Sequence, residues 1–243
     1  MHRNPSFILH AAMRWVAGIR PGMCMLQRGV GAGFALALLL AAAWAAVDED
    51  RMQQAMSSRF GSRGVRSYQA WRELIAEVKS ESDSDRLAHV NEFFDRRIRF
   101  TTDAENWRQE DYWATPIETL GKGAGDCEDY VIAKYFTLID AGMDRTRLRW
   151  FYVMATLNNG GRQSTEAHMV LGYYASPSAD PLILDSLTSV ILPASRRPDL
   201  VPVFSFNSDG IWRQGAAGPT GTVNQLSMWR ELMRKMKEEG YEP

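Results

Sequence analysis

Two apolar runs, LRWFYVMATL (148–157) and AHMVLGYY (167–174), are separated by a segment that begins Asn158-Asn159-Gly160-Gly161. Asn and Gly between strand-forming runs are a strong hairpin signal, so the two runs should pair antiparallel. PLILDSLTSVIL (181–192) supplies a third strand-like run, and LVPVFSFN (200–207) another that Ser208-Asp209-Gly210 turns into IWRQ. Upstream the period changes to that of a helix. VRSYQAWRELIAEVKS places Val65, Tyr68, Trp71, Leu74, Ile75 and Val78 at three- and four-residue spacing. After an N-cap signal at 82–85, Leu87, Val90, Phe93, Phe94 and Ile98 share one face. Tyr130 to Ile139 is a largely apolar helix closed by Ala141-Gly142, and 223–239 is a C-terminal amphipathic helix. The stretch 101–125 is aromatic, polar and glycine-rich without a clean period, and reads as an ordered surface loop. Its Trp107, Tyr112 and Trp113 either anchor a partner in a groove or pack the loop on the core. The order of helices, cysteine-bearing helix and antiparallel strands indicates one α+β domain over 47–243.

Residues 1–46 read differently. Arg20 and Arg28 precede the apolar run VGAGFALALLLAAAWAA, which ends in Ala43-Trp44-Ala45 before charged VDEDR. That is the order of a secretory signal, and the run is shorter than the roughly 20 residues of a spanning helix. The segment is therefore a cleaved signal peptide or a retained N-terminal anchor. Its four arginines carry no matching acid, so the remainder is mildly acidic and gives no reason to expect nucleic-acid binding.

Cleavage there removes Cys24 and leaves Cys127 as the single thiol. An odd cysteine in an exported chain points to a reactive thiol, with an inert buried cysteine as the alternative. Cys127 sits in GKGAGDCEDY, beside Asp126, Glu128 and Asp129. Carboxylates oppose the thiolate that nucleophilic attack requires. A helix start would favour it, through free N–H groups and the helix dipole, and Asp126 could serve as N-cap. A bound cation would remove the repulsion altogether. Asp126, Glu128 and Asp129 offer hard oxygen ligands suited to calcium rather than zinc. Only His89 and His168 remain as histidines outside the export segment. His89 lies among helical positions and suits a packing or surface role. His168 is the candidate general base, and Asp185, directly after an apolar strand, can orient its ring.

The blocks DYWATPIETLGKGAGDCEDYVIAKY, EAHMVLGY and ILDSLTS resemble the bacterial transglutaminase-like cysteine proteinases, among them their periplasmic adhesin-releasing members. The resemblance runs from about Asp85 to Val190. It implies a papain-like, transglutaminase-like core and a catalytic triad of Cys127, His168 and Asp185. It also implies calcium ligation by Asp126 and Glu128, with Asp129 a weaker match. The implied activity is periplasmic cleavage near the N-terminus of a large surface adhesin, typically at a di-alanine site. The implied partner is an inner-membrane cyclic-di-GMP receptor that sequesters the protease. The same triad would also serve a transglutaminase or amidase, and a non-catalytic calcium-binding module is a third reading. GKGAGD lacks the third glycine of a dinucleotide fingerprint, no G-x-S-x-G elbow exists, and one cysteine with two histidines makes a poor zinc site.

Overall fold

The computed structural model describes residues 46–216 and 218–242, so the segment expected to be a signal peptide or N-terminal anchor lies outside the described residues up to position 45. Strand β1 (Ala46–Val47) leads into α1 (Glu49–Val78), whose first turn is capped by the Asp48 carboxylate accepting the Arg51 N–H at 3.0 Å. Helix α1 is two helices joined at Gly61, where φ is 61° and ψ is −157°, a backbone shape open to glycine alone. Helix α2 (Asp83–Arg97) starts at Ser82, whose Oγ accepts the Asp85 N–H at 3.2 Å. Most of the expected stripes are buried, Tyr68, Trp71, Ile75 and Val78 on α1 and Leu87, Val90 and Phe94 on α2, while Val65, Leu74 and Phe93 are half-buried.

Residues 101–125 are not a surface loop. After β2 (Arg99–Phe100) come α3 (Asp103–Asn106), α4 (Pro116–Lys122) and β3 (Ala124–Gly125), which pairs in parallel with β2. The physical reason is a capping box. Thr115 Oγ1 accepts the Glu118 N–H at 3.2 Å, and Glu118 Oε2 accepts the Thr115 N–H at 3.0 Å. Pro116 fits the first helical turn, and Ile117 and Leu120 are buried. Trp113 is likewise in the core, only 8% exposed, which removes it from any partner groove.

Helix α5 (Cys127–Asp140) follows and is buried nearly all round from Asp129 to Leu138. It lies against a six-stranded antiparallel sheet. The central hairpin, β4 (Leu148–Asn159) and β5 (Arg162–Tyr173), turns at Gly160-Gly161 and pairs Val153 with His168. The run 181–192 is two strands rather than one, β6 (Leu182–Asp185) and β7 (Thr188–Pro193). The Asp185 carboxylate accepts the Leu187 N–H at 2.9 Å and so folds the chain back after a single short strand. With β8 (Leu200–Asn207) and β9 (Gly210–Arg213), the sheet order is β7-β6-β5-β4-β8-β9. Helix α6 (Ser227–Glu238) and β10 (Tyr241–Glu242) end the described chain, and β10 pairs with β1.

Aromatic packing holds α5 to the sheet. Trp150 on β4 meets Tyr135 and Phe206 at 5.2 Å, Trp229 at 5.4 Å and Trp113 at 5.6 Å between ring centroids. Such pairs add about 0.5–1.5 kcal/mol each beyond the area they bury. Trp71 Nε1 donates to Thr137 Oγ1 at 2.7 Å and ties α1 to the same helix. Among the described residues no helix is long and apolar enough to cross a membrane.

Candidate active site

Cys127 is the first residue of α5, so its backbone stands in the first turn, where N–H groups are free and the helix dipole is positive. The residue is half-buried. Its Sγ donates to Glu128 Oε2 at 2.8 Å. Burial pushes the thiol pKa well above its usual value, and the charges of Glu128 and Asp126 push it further; a hydrogen bond from the Met169 N–H works the other way. Met169 follows His168 on β5, so the strand carrying the histidine runs past the sulfur. Among the described residues no hydrogen bond links that sulfur to the His168 ring.

His168 and Asp185 are brought together on adjacent strands. His168 Nε2 lies 2.7 Å from Asp185 Oδ1, and both residues are buried. Burial alone would raise the Asp185 pKa. Hydrogen bonds from His168, the Leu187 N–H and Arg197 overcome it and hold the pKa at about 2. An ionised Asp185 accepts only, so Nε2 carries the proton and Nδ1 is the nitrogen left to act as a base. Arg197, which sequence reading passed over, places Nη2 2.6 Å from Asp185 Oδ2. His89 is elsewhere, exposed on α2 with Nδ1 2.8 Å from Glu81 Oε2, a surface pairing as expected.

The acids around Cys127 gather into more than a helix cap. Asp126 occupies the N-cap position, but its side chain makes no capping hydrogen bond. The carboxylates of Asp103, Asp126 and Asp129 lie within 4.8 Å of one another, and so do those of Asp103, Asp111 and Glu128. Burial, then the charges of Glu128, Asp129 and Asp103, push the Asp126 pKa up to about 11. Burial and Glu128 likewise raise Asp129 well above the carboxylate range. One oxygen of Asp129 accepts the Ala114 N–H at 2.8 Å; the other, Oδ2, is buried without a hydrogen bond. Gly125 is required beside it, since a Cβ there would stand 2.6 Å from Asp129 Oδ2. An all-oxygen, densely acidic donor set, buried at Asp103, Asp126 and Asp129, fits a hard divalent cation such as calcium. Asp103 and Asp111 escaped sequence reading because they precede the cysteine by a whole helix and strand. The Tyr112 N–H donates to Asp103 Oδ2 at 2.7 Å and folds this segment onto the cluster.

The profile of the family described as bacterial transglutaminase-like cysteine proteinase BTLCP matches residues 64–199. The chain belongs to this family. As a bacterial transglutaminase-like cysteine proteinase it is a cysteine protease, and its helix-plus-antiparallel-sheet fold is the family's. Solved structures agree. The EGTA-treated form of Legionella pneumophila LapG is 38% identical with a TM-score of 0.68, covering 79% of this chain and 99% of that one. The calcium-bound form of Legionella pneumophila LapG is 38% identical with a TM-score of 0.66, covering 77% and 98%. No curated protein matches the chain.

Proposed function

We propose that this proteinase is a calcium-dependent cysteine endopeptidase in which Cys127 is the nucleophile, His168 the general base and Asp185 the group that orients it. The observation that carries the reading is the His168–Asp185 pair at 2.7 Å, with His168 on the strand that passes the Cys127 sulfur. For attack, the sulfur swings from Glu128 toward His168 Nδ1, which takes the thiol proton. The thiolate then adds to the scissile carbonyl carbon, and backbone N–H groups of the first turn of α5 face the developing oxyanion. His168 returns the proton to the departing amine. It then deprotonates a water that attacks the thioester, releasing the acid and restoring the thiol.

Asp103, Asp126 and Asp129, with Asp111 and Glu128 alongside, would hold the cation. Calcium bound there supplies positive charge that offsets the acids' opposition to the thiolate. That LapG is known in calcium-bound and EGTA-treated forms supports this reading. The same kinship, with the export segment, supports periplasmic action near the N-terminus of a large surface adhesin at a di-alanine site. An inner-membrane cyclic-di-GMP receptor would then be the sequestering partner. The test is incubation with N-terminal fragments of giant adhesins from the same genome, with calcium or with EGTA. Cleavage in calcium that EGTA stops supports the reading, and intact fragments in calcium count against it.

A further inference from the structure

The hydrogen bonds at Asp185 continue past it. Arg197 follows β7, and its guanidinium is buried, with 7% of its side chain exposed. One nitrogen, Nη2, is 2.6 Å from Asp185 Oδ2 and 2.7 Å from Asp199 Oδ2, while Nε is 3.0 Å from Asp199 Oδ1. Resting on the triad read above, the geometry points to Arg197 as a positioning residue that locks the Asp185 carboxylate so that it holds the His168 ring toward the thiol.

A lone aspartate is a loose orienter, because its carboxylate turns readily about the last torsion. Here Oδ1 is occupied by His168 Nε2 and the Leu187 N–H, and Oδ2 by Arg197, so rotation in either direction breaks a short contact. The guanidinium is itself braced from behind by Asp199, at the entrance to β8. Its planar fork bonds two carboxylates at once, which a lysine ammonium cannot reproduce at these positions. The charge matters as well as the angle. A protonated Asp185 would become a donor and favour the opposite imidazole tautomer, leaving Nδ1 without its lone pair. Lys134 of α5 also feels the Asp185 charge, but its ammonium is bonded at 2.8 Å to Asn91 Oδ1 and Asp95 Oδ1. Lys134 contributes a field, whereas Arg197 contributes a bond.

The test reads the thiol without any peptide substrate. In calcium-containing buffer, Cys127 is alkylated with iodoacetamide near pH 6 and near pH 10, and the modified peptide is quantified by mass spectrometry. Near pH 6 the rate depends on a well-placed His168; near pH 10 hydroxide can take the thiol proton, so the rate no longer depends on that base. Arg197→Lys and Arg197→Gln are expected to lose about tenfold near pH 6 and to stay within about twofold near pH 10. His168→Ala is the companion measurement. Full reactivity near pH 6 in His168→Ala would overturn the triad reading and this proposal together. A loss in His168→Ala with wild-type reactivity in Arg197→Lys would overturn this proposal alone. Arg197→Lys keeps the charge and decides the matter even where Arg197→Gln does not fold.

Discussion

The Cys127 sulfur donates a hydrogen bond to Glu128 Oε2 across 2.8 Å, so the proposed nucleophile is engaged by one of the acids that should hold the cation. On the proposed reading, activity and cation binding would be linked through adjacent residues. Asp126→Ala and Glu128→Ala are expected to lose cleavage with the thiol still present. EGTA should silence the wild type and added calcium restore it, measured by cleavage of adhesin fragments. Undiminished activity in a chelator would return these acids to a structural role.

Asp103 should bind the same ion from a distant part of the chain. Asp103→Asn is expected to weaken calcium binding at least about tenfold by titration calorimetry. An unchanged affinity would remove it from the ligand set.

The His168–Asp185 pair predicts large kinetic losses without unfolding. His168→Ala should lower kcat by about two to four orders of magnitude, and Asp185→Asn should act in the same direction. Circular dichroism of both variants should match the wild type. Cys127→Ala should leave no cleavage at all.

Core packing gives a stability prediction. Trp150→Ala should cost about 3–5 kcal/mol, read from denaturant midpoints, because its ring is fully buried among Trp113, Tyr135, Phe206 and Trp229. Trp113→Ala should lower the melting temperature as well. A melting point equal to wild type for Trp113→Ala would contradict its place in this cluster.

Two buried carboxyls set a pH response. Burial pushes Asp140 up to about 6 and Glu239 up to about 7. Both folded values exceed the unfolded ones, so the folded state binds more protons between them. Stability from these groups is full below about pH 4 and falls as pH rises through 6 to 7. Asp140→Asn keeps an acceptor for the Tyr241 hydroxyl and should flatten the decline, as followed by thermal melts from pH 4 to pH 8.

The legible parts of the chain were those written in local pattern. The stripe of Tyr68, Trp71, Ile75 and Val78, the turn at Gly160-Gly161 and the helix starting at Cys127 all follow from spacing between neighbours. His168 and Asp185 could be picked because few histidines exist and a strand end marks the acid. What stayed hidden depends on folding back. Asp103 and Asp111 join the acids only after β2 and β3 pair, and the Thr115–Glu118 capping box was masked by the glycines and charges around it. Arg197 looks like any loop arginine until β6 and β7 fold against each other. The turn at Ser186-Leu187 was missed because apolar residues continue on both sides of it.

The sheet's neighbours, β7 to β6, β6 to β5 and β5 to β4, are also neighbours along the chain. His168 and Asp185 therefore sit on one run of consecutive hairpins, with Arg197 just past its end, and these contacts close over short stretches of chain. The thiol belongs to an earlier segment, on a helix that packs against that sheet. Loss of that docking would separate nucleophile from base while leaving most of the strands paired. On the proposed triad, a partly opened chain in which this helix has left the sheet would thus be inert toward its neighbours.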